Sequence, residues 1–331
     1  MNPIRVAVVG VGHLGSLHAK MLRDLPGAVL TGVYDADRER SARVAAEHGT
    51  RQFTDLGALL SEVDAVTVAT TTSSHFEVGR QVLERGKHLF VEKPITETVE
   101  QADALCALAR SHGVQIQVGH IERFNPAILS LDRYEIRPLF VESHRLAQFN
   151  PRGTDVAVVL DLMIHDIDLI LSFVRSPVKN VEASGVAVVS ESIDIANARL
   201  QFENGCVANV TASRISQRKM RKMRMFQPNT YISIDFSEGM AEVFRLAGEG
   251  EPDVEGTLML GELGSGARRK RILYEQPEVR EVNALKHELG LFVGCAAANT
   301  EPLVTGEDGR RALEVANSIM EKIRQQPALS L

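Results

Sequence analysis

The run Ile4-Arg5-Val6-Ala7-Val8 leads straight into Val9-Gly10-Val11-Gly12-His13-Leu14-Gly15, and Asp35 closes the next apolar run. A Gly-x-Gly-x-x-Gly turn between a strand and a helix, with a distant acid, constrains the fold more than any other feature. Gly10 permits the tight turn and Gly12 lets the backbone approach a pyrophosphate. Gly15 lets the following helix pack close to the sheet. The residues around His13 and Leu14 then present unpaired N–H groups and a positive dipole end to phosphates. Asp35 lies twenty residues after Gly15, close to the spacing of a carboxylate that takes a ribose hydroxyl pair. A glycine triplet alone also occurs in plain turns. Strand, helix and acid together predict dinucleotide binding.

The first 120 residues repeat this alternation. Strands are predicted at Arg5–Val9, Leu30–Tyr34, Ala65–Ala69, Lys87–Val91 and Gln115–Val118. Helices are predicted at Ser16–Asp24, Arg38–His48, Leu56–Glu62, Phe76–Arg85 and Val99–His112. Such βαβ alternation argues for a doubly wound parallel sheet that binds its ligand at the carboxyl ends of the strands. From residue 121 the character changes. A helix at Pro126–Tyr134, a strand around Leu139–Gln148 and a strongly apolar helix at Val158–Val174 precede a succession of strands. These are Val181–Val189, Ile195–Phe202, Val207–Ser213, Met220–Phe226, Tyr231–Phe236 and Met240–Arg245. Asn204-Gly205 and Glu238-Gly239 read as hairpin turns. Leu246–Arg268, rich in Gly and Glu, reads as a loop, and Asn283–Asn299 and Glu307–Gln325 as closing helices. The expected organisation is a dinucleotide domain over 1–120 and an α+β domain over 121–331 with a large open, mostly antiparallel sheet. In that scheme Val158–Val174 and Asn283–Asn299 cover one face of the sheet, and self-association to a homodimer or homotetramer covers the other.

With 331 residues, two domains are the natural expectation. The 37 basic and 43 acidic residues leave a net charge of −6, which gives no general attraction to nucleic acid or acidic membranes. No apolar run reaches the ~20 residues of a membrane span. Met1-Asn2-Pro3 passes directly into a strand without a signal peptide. Cys106, Cys206 and Cys295 are scattered, fit no metal or disulfide spacing, and read as buried, reduced thiols of a cytoplasmic protein.

Two segments carry reactive groups. Glu92-Lys93-Pro94 follows a predicted strand at the carboxyl edge of the sheet, where the nicotinamide end of a dinucleotide would lie. A lysine there can hold a hydroxyl and favour a developing alkoxide, although a surface turn with a solvated ion pair would read alike. Asp161, His165 and Asp168, spaced i, i+4, i+7, fall on one stripe of an otherwise apolar helix. Burying them costs several kcal/mol unless they pair or line a cleft. The readings are a structural His–Asp pair, a metal site, or a general base with its carboxylate. One histidine and no nearby cysteine argue against metal, and an imidazole suits proton transfer near neutrality. Thr70, Thr71, Thr72 and His75 follow a strand and are placed to line the cofactor, or to cap a helix. Arg123 and Asn125 face a substrate cleft or cap a helix. The basic segment Arg214, Arg218, Lys219, Arg221, Lys222 and Arg224 is either solvated strand positions or a site for an anionic substrate, with Arg218 and Arg221 as candidate contacts.

These motifs together resemble the Gfo/Idh/MocA oxidoreductase family along the whole chain. The matching marks are Gly10-x-Gly12-x-x-Gly15, Glu92-Lys93-Pro94, Asp161-x-x-x-His165-x-x-Asp168 and the closing Glu307–Ala316. The resemblance implies an N-terminal Rossmann domain and a nicotinamide-dependent sugar or nucleotide-sugar dehydrogenase, often oligomeric, with catalysis by Lys93, Asp161 and His165. Thr70-Thr71-Thr72 stands where many members have a proline, and Val158-Val159 where many have a glycine pair. Both departures affect loop shape rather than reacting groups. A narrower likeness, carried by Gly119–Pro126 and Val159–Asp168, is to bacterial members that oxidise the 3-hydroxyl of UDP-N-acetylglucosamine on the way to amino-sugar lipid A.

The expected mechanism has His165 accept the hydroxyl proton, Asp161 orient the imidazole and Lys93 steady the oxygen. Asp35 disfavours a 2′-phosphate and so favours NAD, while Arg38 keeps NADP as an alternative. Two other readings are the same chemistry on a free sugar or inositol, and a dinucleotide-binding regulatory protein without turnover.

Overall fold

The computed structural model describes residues 3–150, 156–248, 256–265 and 269–326. They divide into two compact units, residues 1–121 with 283–314 and residues 122–282 with 315–331.

In the first unit six strands, β1 (Ile4–Val9), β2 (Ala28–Tyr34), β3 (Arg51–Phe53), β4 (Ala65–Val68), β5 (His88–Glu92) and β6 (Ile116–Gly119), form one sheet. Their order is β3-β2-β1-β4-β5-β6, and every pair is parallel. The strand order reverses beside β1, which places the ligand crevice outside the ends of β1 and β4. The central strands are apolar on both faces, with Val6, Val8, Val66, Val68, Leu89 and Val91 fully buried, as a sheet covered on both sides requires. The intervening helices are α1 (His13–Arg23), α2 (Arg38–His48), α3 (Leu56–Glu62), α4 (Thr72–Glu84) and α5 (Val99–His112). Local chemistry sets their ends. Asp37 and Asp55 cap α2 and α3, Thr98 and Gln101 form a capping box on α5, and α2 and α5 stop at left-handed Gly49 and Gly113. Relative to the sequence reading, α1 begins three residues earlier, at His13, and α4 four residues earlier, at Thr72. β3 was not anticipated, because three residues are too few to show a period.

One assignment is corrected. The helix α8 (Ala284–Ala298), capped by Asn283 and ended by Asn299 in the left-handed region, was expected on the second sheet. Instead Leu289, Phe292, Val293 and Ala296 pack with Val6, Val8, Leu22 and Phe90 in the core of the first unit. Val304 then accepts a hydrogen bond from Val118 N–H, so the chain returns to the edge strand β6.

The second unit holds nine strands: β7 (Phe140–Leu146), β8 (Val178–Val186), β9 (Ile195–Phe202), β10 (Val207–Ser213), β11 (Met220–Gln227), β12 (Thr230–Asp235), β13 (Met240–Ala247), β14 (Thr257–Leu263) and β15 (Lys270–Glu275). Their order is β14-β15-β13-β12-β11-β7-β10-β9-β8. All pairs are antiparallel except β7 with β10. Gly205 makes the β9–β10 turn at φ +87. Alternation buries Ala196, Ala198, Leu200, Ala208, Val210, Met223, Met225, Ile232 and Ile234 on the face against α7 (Ile164–Val174) and the short α6 (Pro126–Leu129). α6 is shorter than the predicted Pro126–Tyr134. β14 is a further correction, and β15 lies in a stretch to which no element was assigned. Glycines 256, 261 and 264 gave part of Leu246–Arg268 the look of a loop, yet β14 pairs at the sheet edge across a bulge at Met259–Gly261. The rest of that segment, 249–255 and 266–268, lies outside the described residues.

The opposite face of this sheet carries a row of rings in register. Phe140, Phe226, Tyr231, Phe244 and Tyr274 succeed one another with centroids 4.9–6.0 Å apart. The closing helix α9 spans Gly306–Arg324. Burial pushes the Cys106 and Cys206 thiols up to about 12 and about 11, so both are inert at neutral pH. Cys295 is only half-buried, contrary to expectation.

Candidate active site

The glycine turn is built from space rather than from side chains. Gly10 sits at φ +82, and a Cβ there would lie 2.6–2.8 Å from Thr70 and Ala69, so β4 abuts the turn. At Gly15 a Cβ would stand 1.8 Å from the Gly10 carbonyl oxygen. The third glycine is therefore required by the turn's own backbone, with Ala69 of the β4 end behind it. Around Gly12, which caps α1, nothing of the protein comes within 4 Å of such a Cβ. The space beside it is open for a ligand's approach.

Beyond the turn lies a cavity of about 570 Å³ lined by Gly10, Gly12, Tyr34, Asp35, Arg40 and Thr71, among others. The Asp35 carboxylate accepts hydrogen bonds from Val11 N–H (2.8 Å) and Asp37 N–H (2.9 Å). The Arg40 guanidinium lies 3.4 Å from both of its oxygens. Arg40 was missed in the sequence. It is the cation beside Asp35, whereas Arg38 is an exposed first-turn residue whose carbonyl serves Ser41 and Gln52. Its signal was available, since a residue five past the acid and three past the cap Asp37 returns over the strand end. Thr70 and Thr71 line the cavity and Thr72 opens α4. His75 turns inward, with Nδ1 2.9 Å from the Pro94 carbonyl and Nε2 3.2 Å from that of Thr70. Burial pushes its imidazole below the ordinary value.

An open cradle at a helix start, a cavity edged by a carboxylate and glycines fixed by close approach fit a dinucleotide. Lys93 directly follows β5 and is joined to Pro94 by a cis peptide bond. Glu92, which precedes it, is buried. Its carboxylate lies 3.0 Å from His18 Nε2 of α1, so it is a support beneath Lys93 rather than an exposed contact. The sequence reading did not single out His18, a polar residue on the apolar face of α1.

In the second unit the catalytic candidates lie on a helix that begins irregularly. Val159–Met163 form a π turn, and α7 follows directly from Ile164. Asp161 and His165 are half-buried, whereas Asp166 and Asp168 are buried. Asp168 does not join an open stripe. Its carboxylate forms a two-pronged pair with Arg123, 2.6 and 2.7 Å. That pairing also commits the Arg123 side chain, proposed from sequence as a substrate contact, to the fold. Asp166 is held the same way by Arg145 at 2.6 and 3.1 Å. Arg145 also reaches Glu122, which Arg221 contacts as well. Asn125 takes the capping alternative, accepting from Ala127 N–H and donating to the Phe236 carbonyl. Arg145 and Glu122 were missed. The available signal was an arginine at an inward position of β7, next in the alternation after buried Val141 and Ser143.

The basic segment is not one patch. Strand alternation turns Arg221 inward to Glu122, while Lys222 pairs with Asp235 at 3.0 Å and Arg224 with Glu142 at 2.8 Å on the opposite face. Arg214 is buried 3.9 Å from Asp194. Arg218 and Lys219 stand exposed in the β10–β11 turn. Among the described residues, no group of three or more His, Cys, Asp or Glu is arranged to hold a metal ion, and no helix is long and apolar enough to cross a membrane.

The family profile described as an oxidoreductase family with an NAD-binding Rossmann fold matches residues 4–120, and the GFO/IDH/MocA C-terminal domain profile matches 138–242. The chain belongs to the Gfo/Idh/MocA oxidoreductase family. Within it, the UDP-N-acetylglucosamine 3-dehydrogenase of Acidithiobacillus ferrooxidans is 37% identical over 317 residues, 96% of each chain. The solved structure of that enzyme superposes with a TM-score of 0.86 over 98% of both chains. The scyllo-inositol 2-dehydrogenase (NAD(+)) of Bacillus subtilis is 31% identical over 65% of this chain and 68% of its own. As a Gfo/Idh/MocA member the chain is an oxidoreductase with a nicotinamide dinucleotide cofactor, for which the cradle at Gly10–Gly15 is suited.

Proposed function

We propose that this chain is an NAD-dependent dehydrogenase that oxidises the 3-hydroxyl of UDP-N-acetylglucosamine to a ketone. The full-length similarity to the Acidithiobacillus ferrooxidans enzyme carries this reading. The presence of Lys93, Asp161 and His165 supports it. Bound NAD supplies the hydride acceptor. His165 takes the hydroxyl proton as the carbinol C–H and O–H bonds give way to C=O, and Asp161 steadies the imidazole in the orientation that transfer needs. Lys93 donates to the substrate oxygen and offsets its developing negative charge. Asp35 receives the ribose hydroxyls and repels a 2′-phosphate, which favours NAD over NADP, while Arg40 partly offsets that repulsion.

The test is NADH formation from purified protein with UDP-N-acetylglucosamine, UDP-glucose, myo-inositol and scyllo-inositol. UDP-N-acetylglucosamine is expected to be turned over fastest. Turnover of inositols alone would replace this reading with the second, a dehydrogenase of free sugars or inositol. The dispersal of the basic segment favours that alternative. Tight NADH binding without turnover of any of them would favour a regulatory role. We also propose that two copies associate through the ringed face of the nine-stranded sheet, whose charges Arg224–Glu142 and Lys222–Asp235 are already balanced within it. Light scattering showing a monomer would refute this.

A further inference from the structure

The residues on either side of Lys93 are each gripped by a buried histidine from a different helix. Before it, the Glu92 carboxylate lies in a seat assembled from three elements. His18 of α1, fully buried, brings Nε2 to 3.0 Å from one oxygen. The other oxygen accepts the Lys93 N–H at 3.3 Å. Gly119, opposite Glu92 in the β5–β6 register, leaves the room, since a Cβ there would stand 2.8–2.9 Å from the carboxylate. After it, the Pro94 carbonyl lies 2.9 Å from Nδ1 of His75 in α4, 1% exposed.

A buried carboxylate is costly unless a donor meets it, and His18 is the side-chain donor. Its Nδ1 has no hydrogen-bond partner among the described residues, so the ring carries its hydrogen on Nε2, toward Glu92. Phe90 packs edge-on to the ring at 5.4 Å and 80°, which fixes its plane. Burial holds the His75 imidazole below its ordinary pKa, and its Nδ1 lies closer to the Pro94 carbonyl than its Nε2 does to that of Thr70. Neither histidine lines the dinucleotide cavity. Such supports fix a reacting group by fixing its neighbours.

We propose that His18 and His75 are positioning residues that clamp Glu92 and Pro94 and so hold the Lys93 amine in one place. The proposal rests on the catalytic role given to Lys93 above. It adds that α1 serves two tasks: its first turn forms the dinucleotide cradle, and its second turn steadies the lysine.

The test uses the full chain with its lysines ¹³C-dimethylated, which keeps their charge. The Lys93 resonance is identified by its loss in Lys93→Arg. In the wild type it is expected apart from the resonances of exposed lysines. In His18→Leu and His75→Leu it should move toward them, while His18→Gln, which keeps a donor, should hold it in place. NADH affinity by fluorescence titration should stay within about threefold throughout. Glu92→Gln keeps the volume, loses the charge that holds His18, and should give an intermediate shift, so the proposal stays testable if the leucine variants do not fold. An unmoved Lys93 resonance in Glu92→Gln and in every leucine variant that folds overturns it. This readout needs no turnover. Failure of the wild type to oxidise any sugar would remove the dehydrogenase reading and leave this result standing. Where turnover is measurable, kcat should fall on the order of tenfold in the leucine variants with little change in KM for NAD.

Discussion

The glycine turn and the helix that carries His165 solve the same problem, holding reactive geometry fixed, by opposite means. At Gly10 and Gly15 the constraint is absence: side chains are missing because atoms of the turn and of the β4 end occupy their places. Around α7 the constraint is pairing: Asp166 and Asp168 are buried, and each is met by an arginine distant in sequence, Arg145 and Arg123. The first device tolerates no added atom. The second tolerates no removed charge. The contrast teaches where each region breaks, and it can be sharpened by experiment.

The largest effect is expected at the buried pair. Arg123→Met takes the two-pronged guanidinium away from the Asp168 carboxylate, whose side chain is 1% exposed, and should cost about 3–5 kcal/mol in urea unfolding. Arg123→Met with Asp168→Leu should recover most of that loss. If Arg123 served substrate instead, the single variant would raise KM at unchanged stability. Next comes the turn. Gly15→Ala must displace the Gly10 carbonyl and should weaken NADH binding by about 100-fold, equivalent to overpacking by up to about 3 kcal/mol. Near-normal fluorescence titration would break the spatial account of the turn. A smaller effect is expected at the cavity's acid. Asp35→Ala should shift the NAD to NADP preference in kcat/KM by on the order of tenfold toward NADP, and Arg40→Ala by about threefold the other way. The smallest is pH dependence from His75. Burial lowers its folded pKa below the ordinary value of 6.5, so as pH falls through that value the unfolded chain takes up the proton first. Its contribution is intact above about pH 6.5 and is lost progressively below it. Urea midpoints at pH 8, 6 and 5 should fall less steeply in His75→Gln than in the wild type.

The same contrast explains what could be read from sequence. The turn was legible because its determinants are local: a strand, three glycines and an acid all lie within 35 residues. The hairpin at Asn204-Gly205 was legible for the same reason. The spacing of Asp161, His165 and Asp168 was visible too. What spacing does not reveal is that Asp168 is taken up by Arg123, forty-five residues away, or that a π turn interrupts the helix at Asp161. The basic segment looked like one cluster because a list of charges ignores the two-residue period of β11, which sends Arg221 and Lys222 to opposite faces. The support under Lys93 escaped notice because His18 lies seventy-four residues from Glu92. β14 escaped it because its glycines imitate a loop.

The return of α8 to the first sheet bears on how the protein is made. A fragment ending at residue 121 would lack Leu289, Phe292 and Val293, leaving Val6, Leu22 and Phe90 without their apolar cover. During synthesis the nucleotide half is begun first yet completed only after the intervening sheet has left the ribosome. Its newborn form is therefore the aggregation-prone stage, and expressing the amino-terminal half alone should yield insoluble material unless the late helix is supplied in trans.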